Sequence, residues 1–256
     1  MKLPSVQIKP TSRLAAALHI FLRLLLPILI LVLVVQRFTL GAVLVVILSK
    51  WRIFSVRPRY WLANIKANLV DITVSLSVIA YLDGAASGRG GFLHISLIAW
   101  TLLFAVWLVF LKPLSSGLAM ASQALLAQAV GISALYAHYS TWNPVYLVVL
   151  TWLVCFGAAM HFLTSFEDDV NRSLTHVWAL FGAEMSVILN HWIIVYNAVV
   201  PQIALILGLV GYALAIGHYT HKTKGLRAGV RQQLVVFTLG IIILVIVFSD
   251  WQYKGF

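Results

Sequence analysis

The amino-acid sequence predicts an all-α, polytopic helical membrane protein, and three observations lead to this fold class. Of the 256 residues, 62% are hydrophobic and 10% are charged, whereas soluble domains contain about 45–50% apolar and about 25% charged residues. The mean hydropathy of the chain is +0.97. Its apolar residues form runs that approach the ~20 residues a helix needs to cross a bilayer. No alternation of period two indicates a membrane β-barrel.

The first apolar region, residues 14–49, predicts a helical hairpin rather than one long helix. Arg23, Pro27 and the pair Gln36 and Arg37 interrupt it. Two short crossings fit this pattern, and so does a re-entrant hairpin that turns near Gln36. A cleaved signal peptide fits less well, because Arg23 breaks the apolar region and no small-residue cleavage site follows it.

Residues 50–66 form a basic, aromatic segment that we expect at the membrane surface, where Pro58 prevents one uninterrupted helix. Aromatic rings sit at headgroup level, and each Lys or Arg near anionic lipid phosphates contributes about 1 kcal/mol. The candidate ligands for a lipid headgroup or a phosphate-bearing substrate are Lys50, Arg52, Arg57, Arg59, Trp61 and Lys66. A topology anchor on the cytoplasmic leaflet explains the same residues. We expect no nucleic-acid partner this close to membrane segments.

Seven further apolar runs predict a helical bundle over residues 69–250. They cover residues 69–82, 92–111, 117–137, 145–163, 174–196, 203–219 and 234–249. With the hairpin they give about 8–9 membrane segments in one transmembrane domain over residues 1–256. The run 117–137 is rich in Ala, Gly and Ser, which let helices approach closely, so it predicts the central helix. Gln123 and Gln128 can form hydrogen bonds across that contact.

The distribution of charge predicts an orientation. The chain has 18 Lys and Arg against 7 Asp and Glu, a net charge of +11. Twelve of the basic residues lie in residues 2–13, 50–66 and 222–231. If residues 14–49 cross twice or re-enter, all three segments fall on one side, which the positive-inside rule makes cytoplasmic. We therefore expect an integral membrane protein with a cytoplasmic N-terminus, a C-terminus on the opposite side and anionic lipids at the cytoplasmic face.

The run 174–196 holds the candidates for chemistry inside the membrane. Glu184 is the acidic residue nearest the middle of any predicted segment, where a charge costs about 2.5–3.5 kcal/mol. Glu184 and His191 are roughly 10 Å apart on nearly one helix face. With His176, Gln123 and Gln128 they form a candidate proton or cation pathway. Alternatively, Glu184 is protonated or paired and only locks helix packing.

Other motifs narrow the function without defining it. The single cysteine, Cys155, excludes an intramolecular disulfide and a Cys-based metal site. His218 and His221 lack a third ligand nearby, so we predict no bound metal. The cofactor stays open, because several histidines near the ends of the predicted segments could bind haem but no pair of them has a distinctive spacing. The acidic residues 167–169 fit a cation site, a contact with the basic loops or a solvated turn. The absence of a phosphate loop and of a nucleophile elbow makes an enzyme the less favoured class.

Three functions therefore stay open. The leading hypothesis is small-solute transport or ion- or proton-coupled transport through the bundle. The second is a structural or accessory subunit of a membrane complex, in contact with another membrane protein or with a second copy of the chain. The third is a membrane enzyme that acts on a lipid-linked substrate.

Overall fold

The computed structural model describes residues 13–88, 93–166, 168, 170–189, 195–196, 200–225 and 227–247. This part of the chain is almost entirely helical, which confirms the all-helical class. Its helices are α1 (Arg13–Val35), α2 (Thr39–Ser49), α3 (Trp61–Ala67), α4 (Leu69–Ala86), α5 (Leu93–Val106), α6 (Gly117–Tyr139), α7 (Pro144–Leu163), α8 (Asn171–Leu189), α9 (Gln202–Lys224) and α10 (Ala228–Val247). Short 3₁₀ turns at Trp51–Ile53 and Pro58–Tyr60 precede α3, and a π-helical turn at Trp107–Leu111 extends α5.

Five of these helices are long and apolar enough to cross a membrane, namely α4, α6, α7, α9 and α10. Their length and composition are compatible with an integral membrane location. Three shorter apolar helical stretches cover Ile20–Val35, Thr39–Ser49 and Ile95–Leu111. The count of eight or nine membrane segments stays a prediction.

The region predicted as one helix over residues 174–196 differs in the structure. Helix α8 ends at Leu189, and Val195–Tyr196 forms a strand, β1, paired antiparallel with β2 (Val200–Pro201). Valine and tyrosine favour strands, and Pro201 caps α9 at its N-terminus. Local propensity therefore outweighs the apolar pattern at the end of this run.

Helices α1 and α2 form an antiparallel hairpin whose turn lies at residues 36–38. Arg37 in this turn has φ +62°, a conformation uncommon for residues with a Cβ. With 11 residues, α2 is about 16 Å long, well short of the ~30 Å hydrocarbon core of a bilayer. Helix α2 alone is therefore too short for a full crossing.

The hairpin packs on α4 and is tied to both ends of that helix. Ile30, Val34 and Val46 join the apolar cluster that includes Val74 and Val78. At the turn, Thr39 Oγ1 donates to Asp83 Oδ1 at 2.7 Å, and Arg37 Nη1 donates to Ser87 Oγ at 3.1 Å. At the opposite end, Lys50 pairs with Asp71. Helix α2 therefore runs antiparallel beside α4 over nearly its whole length.

Helix α6 lies between α4, α7 and α9. A Cβ at Gly131 would stand 2.5 Å from Thr73 Cγ2 of α4 and 3.0 Å from Val154 Cγ1 of α7. Between α7 and α8, a Cβ at Gly182 would stand 2.5 Å from Cys155 Sγ. The absence of a side chain at these two glycines allows the close helix contacts on which the bundle depends.

Lys50, Lys112 and Lys222 lie at one end of the bundle, which we call the basic end. Lys112, which follows α5, contacts Asp71 in the first turn of α4. The ring of Tyr219, late in α9, packs beside Gly117 at the start of α6. Lys222 pairs with Asp168, between α7 and α8. The basic end is thus where α4, α6 and α8 begin and α5, α7 and α9 end.

Candidate functional site

A large cavity, the α10 groove, is lined by residues of α10 and by the facing sides of α6, α7, α8 and α9. Helix α10 packs chiefly on α9, and none of its residues is buried. The groove has a volume of about 890 Å³. Small and aliphatic side chains make up most of its wall, among them Ala121, Ala124, Ala158, Leu234, Leu239 and Ile242. The groove is therefore suited to an apolar ligand.

The histidines and the arginine of the groove lie at its basic end. His218, His221 and Arg231 all line it. The His218 ring packs edge-on against Phe166, with 4.9 Å between the ring centroids. His218 Nε2 is buried and has no hydrogen-bond partner among the residues that the structure describes. A buried polar atom without a partner is unusual, so this end of the groove has hydrogen-bonding capacity for a ligand.

Asp168, the acidic residue beside the basic end of the groove, already forms an ion pair. Lys222 pairs with Asp168, and its hydrogen bond is the main reason that the pKa of Asp168 is lowered. Of the alternatives for residues 167–169, contact with a basic loop is the one seen at Asp168. His221 and Arg231 have no ion pair with an acidic residue in the described part of the chain.

Halfway along the groove, Gln128 joins three helices. Trp178 Nε1 of α8 donates to Gln128 Oε1 at 2.8 Å, and Gln128 Nε2 donates to Leu207 O of α9 at 3.0 Å. Gly211 leaves room for this arrangement, because a Cβ there would lie 3.1 Å from Gln128 Nε2. Gln128 therefore lines the groove while both ends of its amide are used inside the protein.

Gln123 has a similar joining role closer to the basic end. Its Nε2 donates to Leu111 O at 2.6 Å and Leu114 O at 2.9 Å, and its Oε1 is 2.7 Å from His161 Nε2. Gln123 thereby fixes the turn between α5 and α6. Neither Gln123 nor Gln128 forms a hydrogen bond with Glu184 in the described part of the chain.

Glu184 and His176 both lie on the exposed face of α8. The side chains around Glu184 on this face are large and apolar, including Leu180, Val187 and Ile188. His191 lies outside the residues that the structure describes. The structure therefore does not bring Glu184 together with the two glutamines, and the role of these five residues in a proton or cation pathway stays a prediction.

A second polar site, the junction cluster, consists of Lys50, Asp71, Trp107 and Lys112. Lys50 pairs with Asp71 Oδ2, and Lys112 Nζ donates to the same oxygen at 2.7 Å. Trp107 Nε1 donates to Asp71 Oδ1 at 3.1 Å. Asp71 is 6% exposed and Lys50 is 8% exposed. A single buried carboxylate thus holds α2, α4 and the turn after α5 together.

Burial perturbs both lysines of the junction cluster. It lowers the pKa of Lys50 to about 7, with the positive charge of Lys112 as a further cause. Burial also lowers the pKa of Lys112. Desolvation of the ammonium group is the main cause of both pKa shifts, and the nearby positive charge of Lys112 for Lys50, or of Arg23 for Lys112, adds to it.

The sequence prediction includes Lys50 but not Asp71, Trp107 or Lys112. A visible signal exists, because Asp71 interrupts the start of an apolar run and lysines follow the preceding and succeeding runs. The other candidates for phosphate or lipid binding do not join the cluster. Arg59 lies over the Tyr60 ring at 4.6 Å, Lys66 over the Phe156 ring at 5.9 Å, and Trp61 Nε1 donates to Val56 O. The side chains of Arg52 and Arg57 are exposed.

The fold and these two sites define an all-helical protein, and five of its described helices are long and apolar enough to be compatible with a membrane. In the described part of the chain, no group of three or more His, Cys, Asp or Glu residues could hold a metal ion. The chain matches no protein-family model, no curated protein and no solved structure.

Proposed function

We propose that the protein is an integral membrane protein that binds an anionic amphiphile, a lipid or lipid-linked molecule, in the α10 groove. One observation carries this proposal, namely a mostly apolar cavity of about 890 Å³ whose histidines and arginine, His218, His221 and Arg231, lie at one end. Pockets for small organic ligands range over about 300–1,000 Å³ and are mostly apolar with few polar groups. The groove has the size and the asymmetry that a molecule with an apolar chain and a charged head requires.

The residues at the basic end and along the rest of the groove support a ligand whose charged head lies at the basic end. Arg231 provides a permanent positive charge and a fork of donors for an anionic head. His218 and His221 offer further polar contacts at the same end. The alanines and leucines of the remaining wall contact the chain. By the positive-inside rule, the basic end is cytoplasmic, so the head would lie in the cytoplasmic leaflet.

The same features favour an amphiphile over a hydrated ion. A hydrated ion needs a path of polar groups free to bind it, whereas Gln123 and Gln128 already form hydrogen bonds within the protein. If the protein is a transporter, this proposal implies that the amphiphile is the molecule transported. An enzyme acting on a lipid-linked substrate would use the same groove, and a role as an accessory subunit stays an alternative from the sequence.

The test is lipid retention by the purified protein, measured by native mass spectrometry after reconstitution with phosphatidylglycerol and phosphatidylcholine. We expect the wild type to retain phosphatidylglycerol preferentially. Val177→Trp, which fills the groove from α8, should reduce retention at least fivefold. The matched control is Val187→Trp, because Val187 is exposed on the same helix and does not line the groove.

A second variant tests the contact with the head. Arg231→Gln should remove the preference for the anionic lipid and leave total retention nearly unchanged, whereas Arg227→Gln, outside the groove wall, should behave as the wild type. Equal total retention by the wild type and Val177→Trp, or an unchanged preference for phosphatidylglycerol in Arg231→Gln, would contradict the proposal.

A further inference from the structure

The junction cluster contains more positive charge than its carboxylate can balance. Both oxygens of Asp71 are occupied, one by the Trp107 indole and the other by two lysines. Of the four acidic residues in the described part of the chain, only Asp71 lies at this junction, since Asp83 is at the opposite end of α4. The cluster therefore has one unbalanced positive charge before its surroundings are considered.

The α1 helix adds to this excess. Arg23 is 12 residues before the end of α1, and Lys50 directly follows α2, so the hairpin brings both to the same depth. The positive charge of Arg23 contributes to the lowered pKa of Lys112. When Lys50 is protonated, Arg23, Lys50 and Lys112 together supply three positive charges against the single negative charge of Asp71.

A purely structural contact between α2 and α4 would need only one lysine. A second ammonium on the same carboxylate oxygen is unfavourable where water is scarce, because desolvation of a charge is repaid only by a counter-charge. The Lys112 side chain is 41% exposed, which leaves this side of the cluster open. Lys112 also directly follows a π-helical turn, a feature frequent at functional sites.

We propose that the junction cluster binds a phosphoryl group, with Lys112 at the open side, Lys50 behind it and Arg23 completing the positive field. A phosphate monoester carries a charge of about −1.5 to −2 at neutral pH, which matches the excess of two positive charges that the cluster has when Lys50 is protonated. Asp71, fixed by Trp107, orients the two ammonium groups and does not contact the anion. This site is independent of the α10 groove.

The experiment measures binding of inorganic phosphate to the full-length protein in phosphatidylcholine nanodiscs, by calorimetric titration at constant ionic strength and pH 6.5. We expect saturable binding by the wild type and at least a tenfold loss of affinity in Lys112→Gln. Lys112→Arg should retain binding within threefold, which separates loss of charge from misfolding. The matched control is Lys66→Gln, an exposed lysine outside the cluster, with affinity within twofold of the wild type.

A second arm identifies the source of the phosphoryl group. If the natural ligand is a lipid headgroup, phosphatidic acid in the nanodisc should raise the apparent dissociation constant of inorganic phosphate at least tenfold. If free phosphate is the natural ligand, phosphatidic acid should not compete with it. Either result supports the site. Absence of phosphate binding by the wild type, or equal binding by Lys112→Gln, would overturn it. Arg231→Gln, a change in the α10 groove, should leave phosphate binding unchanged. Failure of the phosphate site can therefore be distinguished from failure of the proposed lipid binding in the groove.

Discussion

At the scale of single residues, Lys50 makes the stability of the protein depend on pH. Its pKa is about 7 in the folded protein, against an ordinary value of 10.5. Between these values the unfolded chain binds more protons than the folded one, so the free energy of unfolding should rise with pH, by at most about 1.4 kcal/mol per pH unit. The destabilisation by Lys50 is largest below pH 7, decreases as the pH rises, and disappears near pH 10.5, where the lysine of the unfolded chain also loses its proton.

The corresponding measurement is equilibrium unfolding of the wild type and of Lys50→Met in a neutral detergent from pH 6 to pH 9. The wild type should become more stable from pH 7 upward, and Lys50→Met should lack this rise because methionine does not titrate. Lys66→Met is the control and should follow the wild type. Parallel curves for the wild type and Lys50→Met would refute this assignment.

The same cluster shows what single residues in the sequence could and could not predict. Glu184 is conspicuous because it lies in the middle of an apolar run, yet α8 presents it on an exposed face. Asp71 lies at the start of its run, where a charge is a weaker signal than in the middle. Its importance comes from Lys50 and Lys112, which are 21 and 41 residues away in the sequence and meet it only through the packing of α2 and α5 on α4.

At the scale of helices, the contact of α6 with α4 and α7 depends on Gly131. Gly131→Ala would place a methyl group within 2.5 Å of Thr73 Cγ2 and 3.0 Å of Val154 Cγ1. Over-packing of this kind costs about 1–3 kcal/mol. Gly208→Ala on α9 is the matched control, because no atom lies within 4 Å of the added Cβ and alanine favours a helix interior by about 0.5–1 kcal/mol. Thermal unfolding should show a lower midpoint for Gly131→Ala and an equal or higher one for Gly208→Ala; the reverse order would contradict the close contact.

Helix boundaries follow from the sequence where the local signals agree with the apolar pattern. The run 145–163 corresponds to α7, because Pro144 fits the first helical position and the Asn143 side chain accepts a hydrogen bond from Val145 N. The run 117–137 corresponds to α6, which Ser116 caps by accepting from Ala119 N. The run 174–196 lacks such agreement at its end, where strand-forming residues and Pro201 follow. Periodicity alone therefore overestimates the length of α8.

At the scale of the whole molecule, the pairing of the hairpin with α4 predicts which membrane surface the hairpin turn reaches, a point that the sequence leaves open. The turn at residues 36–38 lies beside Asp83 and Ser87, at the end of α4 remote from the basic end. Gly84 at this end packs against His138, which places the loop between α6 and α7 there too. Helix α4 has 18 residues, about 27 Å, close to the ~30 Å of a hydrocarbon core. If α4 crosses the membrane, the hairpin turn should reach the far surface.

Single cysteines in a Cys155→Ala background test this arrangement with a membrane-impermeant maleimide, applied to intact cells and to inverted vesicles. Gln36→Cys and Thr141→Cys should react from the outside only, because both positions lie at the far end of the bundle. Ser55→Cys, exposed at the basic end, should react only in inverted vesicles. Reaction of Gln36→Cys from the same side as Ser55→Cys would mean that the hairpin re-enters and would contradict this prediction. Reaction of Thr141→Cys and Ser55→Cys from one side would instead refute the crossing of the bundle itself.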